Sequence, residues 1–194
     1  THSANWKSDT NSFTNTSNTL GIIHIVRDPR NIITSLKNHF NKDGYEELLN
    51  FMVNEKKFIG TKEVEKEFEV PTLISSWSNH YKSWKKLSKK YLLIKYENLL
   101  KKKKDEFYRI VKFIESNTKN KFTDKQVQRA IDYCKFENLK NQEDTFGFKE
   151  SPNAKNKKFF FLGPENNWRN IINKDIQKKI EYNFEKEMKE LDYL

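Results

Sequence analysis

Apolar residues in this chain fall into two short continuous runs and several longer stretches where they recur at helical spacing. The first run, Gly21-Ile22-Ile23-His24-Ile25-Val26, is too continuous for a strand with one solvated face and reads as a buried parallel strand. It ends at Arg27-Asp28-Pro29-Arg30. Asp28 suits a helix N-cap and Pro29 the first helical position, where a missing N–H costs nothing, so a helix is predicted to follow directly, over about 29–40. The second run, Tyr91-Leu92-Leu93-Ile94-Lys95-Tyr96, leads into Glu97-Asn98-Leu99-Leu100. Between the runs, after Pro71, Leu73, Ile74, Trp77, Tyr81, Trp84 and Leu87 mark one face of an amphipathic helix. Strand, crossover and strand predict a parallel pair.

The remainder reads as helical. Phe107, Ile110, Val111 and Ile114 line one helix face, Thr123 with Gln126 forms a capping-box pattern, and Asn173 can cap a last helix carrying Ile176, Ile180, Phe184, Met188 and Leu191. Residues 144–170 contain Gly147, Pro152, Gly163 and Pro164 and are predicted as loop, and residues 1–19, rich in Ser, Thr and Asn, as an irregular lead-in. Residues 41–70 mix charged pieces with Tyr45, Leu48, Leu49, Phe51 and Met52, the pattern of a short helix inside a mobile excursion. The expected class is α/β, with a mostly helical C-terminal half.

Composition narrows the function classes. Leu, Ile, Val and Phe total 50 of 194 residues, enough for a folded core. No stretch approaches the ~18 apolar residues of a membrane helix, so no membrane segment is expected. The net charge of +10 comes from 37 basic and 27 acidic residues, but only five of the basic ones are Arg. Lysines alternating with glutamates along helices are first a solvated surface, and Lys101 to Lys104 read as such a charge run. A basic nucleic-acid-binding domain is therefore a remote alternative, and no nucleic-acid partner is expected. Cys134 is the only cysteine, which excludes an intrachain disulfide and suggests a reducing, cytoplasmic setting. The four histidines show no metal-ligand spacing, so no metal is expected.

The informative chemistry lies at Val26 to Ser35. Ligands of open parallel sheets gather at the carboxyl ends of strands, where a starting helix offers unpaired N–H groups to an anion. Arg27 stands at that rim and Ser35 is two turns into the helix, an arrangement suited to clamping a phosphate. An ordinary reading stays open from spacing alone: Arg27 pairing a carboxylate, and Ser35 a tolerated helix residue.

The string His24-Ile25-Val26-Arg27-Asp28-Pro29-Arg30-Asn31-Ile32-Ile33-Thr34-Ser35 closely resembles the VRDPRDxxxS signature of the family of sulfotransferases that use 3′-phosphoadenylyl sulfate (PAPS). Other segments match in the family's order. Thr1-His2 resembles the end of its K-T-H segment, Leu93 to Leu99 its L-x-[RK]-Y-E-D-L segment, Lys135 to Lys140 its S-F-E-x-[LM]-[KR] box, and Phe160 to Arg169 its F-x-R-K-G-x-x-G-x-W-[KR] loop. The resemblance implies a P-loop-NTPase-like three-layer fold with a central parallel sheet flanked by helices. It implies that Arg27, Ser35 and Gly163 hold the 3′-phosphate, Tyr96 and Phe136 the adenine, and His2 accepts the proton of a small-molecule hydroxyl or amine. The family's phosphosulfate loop, with its catalytic lysine and first strand, belongs before the K-T-H segment. Residues 1–194 are therefore expected to be one sulfotransferase domain with its N-terminal part missing, inactive by itself.

Two departures stand out. Phe161-Leu162 replaces the loop's Arg-Lys pair, for which Lys155, Lys157 or Lys158 could substitute, and Lys135 replaces the Ser of the S-F-E box and could itself supply a cation. They keep open a nucleotide-binding relative that has lost transfer. Of the remaining residues, His24 reads as a core histidine, His39 and His80 have no assigned role, and the stripe Trp77, Tyr81, Trp84 reads as core packing. Residues 41–70 read as a substrate lid, Cys134 as a structural thiol, and His2 as disordered at the chain end.

Overall fold

The computed structural model describes residues 2–8, 10–59, 72–148 and 158–194. The later part of the expected lid, and Lys155 and Lys157, lie outside them. Near the start, β1 (Lys7–Ser8) and β2 (Asn11–Ser12) form an antiparallel hairpin where an irregular lead-in was expected. The two apolar runs become β3 (Ile22–Val26) and β6 (Tyr91–Lys95), paired in parallel from Ile22 opposite Tyr91 to Val26 opposite Lys95. The first strand differs from expectation in its burial. Ile22, His24 and Val26 are buried, but Ile23 and Ile25 are 37% and 53% exposed, because among the described residues only one face of this strand is packed over.

Helix α1 (Pro29–His39) starts as predicted, with the Asp28 carboxylate accepting the Arg30 amide at 2.9 Å. The short α2 (Tyr45–Val53) follows, and β4 (Phe58–Ile59) pairs antiparallel with β5 (Thr72–Leu73). Helix α3 runs Trp77–Leu87, so it begins later than the apolar stripe suggested. Ser75 sits at φ 64 and the Ser76 hydroxyl accepts the Asn79 amide, which fixes the start at Trp77 and leaves Leu73 on a strand. After β6 come α4 (Tyr96–Lys101), α5 (Lys103–Asn117), α6 (Asp124–Tyr133) and α7 (Phe136–Phe146). Thr123 and Gln126 form the predicted reciprocal cap of α6. Residues 158–170 are loop with two short 3-10 turns, and α8 (Lys174–Glu190) is capped by Asn173.

The main core joins the two ends of the sequence: Ile33 of α1 and Leu48, Leu49 and Met52 of α2 pack on Ile176, Ile180, Phe184 and Met188 of α8. Trp77 meets the Phe184 ring at 5.2 Å, and Tyr81 is buried beside Val26 and Leu191, so these two aromatics pack in the core as expected. Trp84 instead turns to the lead-in, donating its indole N–H to the His2 carbonyl at 3.0 Å. Cys134, expected as a structural thiol, is exposed at the C-cap of α6. No helix among the described residues is long and apolar enough to cross a membrane.

Candidate functional site

Both parallel strands run straight into helices, and the two turns are bolted together. Glu97, in the first turn of α4, accepts the Asp28 amide at 2.9 Å and the Tyr193 hydroxyl at 2.9 Å. Arg27 and Tyr96, the residues just past each strand, thereby meet, with the guanidinium 4.4 Å above the ring centroid. Arg27 also donates from Nη1 to Ser35 Oγ at 3.2 Å, so the pair proposed from spacing is in contact. Its Nε is buried and has no partner among the described residues. Burial weakens its hold on its proton, against the opposing pull of Tyr96, Glu97, Asp28 and Tyr193, yet an arginine remains charged at any physiological pH.

The loop at 158–170 closes on this junction through polar side chains that no sequence pattern marks. Asn166 is buried, accepts the Thr34 hydroxyl at 2.6 Å and donates to Ser35 Oγ at 3.0 Å and the Asn31 carbonyl at 3.1 Å. Asn31 accepts the Trp168 amide at 2.9 Å. Buried Glu143 on α7 accepts the Phe159 and Phe160 amides at 2.7 and 2.9 Å. No periodicity marks such residues: Asn31 and Glu143 lie on helices and Asn166 in the loop, and their polar type alone does not single them out. Gly163 has φ 50, and a Cβ there would lie 2.4 Å from the Phe136 ring, so only glycine fits this close approach.

Arg27, Ser35, Tyr96, Phe136 and Gly163 all line one cavity of about 670 Å³. Phe159 to Leu162 and Asn166 form the loop side, and Leu99, Leu100, Lys103 and Phe107 another wall. Of the cations proposed from sequence, the two that are described are engaged elsewhere: Lys135 pairs with Asp132 at 2.9 Å, Lys158 pairs with Asp144 at 2.8 Å, and neither lines the cavity. A second cavity of about 400 Å³ adjoins it and shares Arg27, Ile32, Leu36 and His39. Phe51, Met52 and Ile59, from the described part of the expected lid, help wall this second space. No group of three potential metal ligands occurs among the described residues.

His2 is apart from the other site residues. It is ordered by contacts rather than frayed: its ring stacks on Trp6 at 4.4 Å and its Nδ1 accepts the Leu73 amide at 3.1 Å. Burial lowers its pKa, so the ring is neutral near pH 7. It does not line the cavity of Arg27. His24 is buried as expected, with Nδ1 2.8 Å from the Tyr91 hydroxyl, and burial together with nearby His80 lowers its pKa to about 4.

Residues 10–192 match the sulfotransferase domain. The chain belongs to the sulfotransferase family. It is 29% identical over 133 residues to human Sulfotransferase 1E1, a match covering 66% of this chain and 44% of that one. It is 24% identical over 178 residues to Cytosolic sulfotransferase 12 of Arabidopsis thaliana, covering 87% of this chain and 50% of the relative. The sulfotransferase chain thus spans about half the length of these relatives. Its fold is similar to that of mouse sulfotransferase SULT7A1 complexed with PAP, at TM-score 0.62 and 18% identity over 89% of this chain and 59% of that one. Retinol dehydratase in complex with androsterone and inactive cofactor PAP follows at 0.59 and 19%, over 87% and 47%. The expected P-loop-like α/β architecture with its parallel sheet is therefore the fold of this sulfotransferase domain.

Proposed function

We propose that the 670 Å³ cavity takes the 3′-phosphoadenylyl end of PAPS and that the protein moves its sulfuryl group to a hydroxyl or amine of a small molecule. The supporting observation is the buried Nε–H of Arg27, without a partner among the described residues, beside the Ser35 hydroxyl. A buried donor without an acceptor costs free energy, and a phosphate oxygen relieves that cost with a charge-assisted bond. In this reading Arg27 and Ser35 take the 3′-phosphate, and the Gly163 backbone approaches it closely. Tyr96 and Phe136 flank the adenine. The acceptor occupies the adjoining apolar cavity.

The chemical step is an in-line displacement. The acceptor oxygen or nitrogen bonds to sulfur while the bond from sulfur to the bridging phosphate oxygen breaks, releasing adenosine 3′,5′-bisphosphate. The protein's share is positioning and charge stabilisation. His2 is the proposed base for the acceptor's proton; it lines neither cavity, so the role requires its Nδ1 to let go of the Leu73 amide and the ring to move toward the acceptor. The 194 residues carry no Lys-[Ser/Thr]-Gly phosphosulfate loop, so negligible turnover by this chain alone is part of the proposal.

A nucleotide-binding relative without transfer is the second reading, favoured by the uncharged Phe161 and Leu162 on the cavity wall. Calorimetry with adenosine 3′,5′-bisphosphate tests both. Saturable binding weakened at least tenfold in Arg27→Ala is expected, in line with the ~1.5–3 kcal/mol of a hydrogen bond to a charged group. No binding by the wild-type chain would sink both readings. Sulfation by the 194-residue chain would overturn the expected inactivity.

A further inference from the structure

The cavity's wall contains two formal cations, Arg27 and Lys103, and no carboxylate. The sequence pattern places Lys103 among four lysines of a solvated charge run. Its neighbours Lys101, Lys102 and Lys104 are indeed exposed, but Lys103 is half-buried and turned to the cavity. No ion pair engages it among the described residues, whereas Lys135 and Lys158, the other candidates from sequence that are described, each hold an Asp. Its placement is also unfavourable without a ligand. Lys103 opens α5, a helix of 15 residues whose N-cap side chain makes no capping bond, and a cation at a helix start faces the positive end of the dipole. An anion in the cavity reverses that sign. A phosphate monoester carries close to two negative charges near neutral pH, and Arg27 offsets one.

We infer that Lys103 is the second cation that recognises the phosphate of the nucleotide in this cavity. The inference rests on the nucleotide reading above, and the test separates the two. Binding of adenosine 3′,5′-bisphosphate and of adenosine 5′-monophosphate to the full chain is measured by calorimetry at low and moderate salt. Lys103→Met is expected to weaken the bisphosphate roughly tenfold, as for loss of one charge-assisted contact. It should narrow the bisphosphate's advantage over the monophosphate and flatten the salt dependence. Lys101→Met removes the same net charge from an exposed position and should change affinity less than about twofold. Lys103→Arg should retain the wild-type preference, which guards against a mere folding defect. If Arg27→Ala abolishes binding while Lys103→Met leaves it and the ligand preference intact, the role of Lys103 is wrong and the nucleotide site stands. If the wild-type chain ignores both nucleotides, both fall.

Discussion

His24 stands between two isoleucines on β3 with its ring packed toward Tyr81, His80 and Tyr91. That a histidine in an apolar run is a core residue was legible from the pattern; its acid sensitivity was not, since it depends on partners 56 and 67 positions away. An unfolded histidine takes up a proton near pH 6.5, whereas the folded site holds His24 down to about 4. Between those values the unfolded chain binds more protons. His24's contribution to stability is thus complete above about pH 6.5 and is lost as pH falls toward 4, by about 2–3 kcal/mol. Urea midpoints of the wild type and His24→Gln, compared at pH 7 and 4.5, should converge on acidification. Equal pH slopes for the two proteins would remove His24 as the sensor. Gly163 shows the same division of legibility. The resemblance marked the residue, but the reason no side chain fits, a Phe136 ring where a Cβ would stand, is a contact between segments far apart in sequence.

At the scale of elements, strands and helices with local signals are legible in the sequence. Asp28 and Pro29 start α1, the capping box starts α6, and Asn173 starts α8, because each signal is a short-range hydrogen bond encoded within four residues. The stripe before α3 misled because a two-residue strand can present Leu73 in line with the helical positions that follow, and only Ser75 and Ser76 reveal the break. The loop at 158–170 had no periodic signal at all. Its place over the cavity is set by Asn166 reaching α1 and by Glu143 holding Phe159 and Phe160. Asn166→Ala removes three hydrogen bonds among buried or half-buried groups, the one from the Thr34 hydroxyl and those to Ser35 Oγ and the Asn31 carbonyl, although Thr34 and Ser35 each keep the Asn31 carbonyl as a partner. The expected cost is about 1–3 kcal/mol in stability. Because the same loop carries Gly163 and walls the cavity, affinity for adenosine 3′,5′-bisphosphate should fall with it. Chemical denaturation and calorimetry on one preparation check both; a stability loss with unchanged affinity would mean the tether does not shape the site.

At the scale of the molecule, Arg30 joins parts that the sequence keeps apart. Its Nε and Nη2 clasp Asp28 at 2.8 to 3.2 Å, Nη1 meets Glu181 of α8 at 2.6 Å, and Nη2 also donates to the Tyr193 carbonyl at 2.6 Å. The guanidinium plane lies 4.1 Å from the centre of the buried Trp168 ring. One side chain therefore ties the strand-helix junction of the site to the last helix, the chain's end and the loop. The sequence placed Arg30 inside a signature string but could not say that its partners lie 138 to 163 positions downstream. Lysine keeps the charge but has neither the planar fork nor the ring-stacking face, so Arg30→Lys leaves Glu181 or the Tyr193 carbonyl unserved beside a buried Asp28. Losing a hydrogen bond of this charged cluster costs about 1.5–3 kcal/mol, which for a chain of this size lowers Tm by roughly 3–12 °C. Arg169 also stacks on Trp168, at 4.4 Å, but on the exposed side and without a carboxylate partner among the described residues. Arg169→Lys should therefore shift Tm by less than about 2 °C. Thermal unfolding of the two variants separates a structural hub from a surface stack, and equal shifts would show that stacking on Trp168, rather than the ion and carbonyl contacts of Arg30, holds the C-terminus on the site.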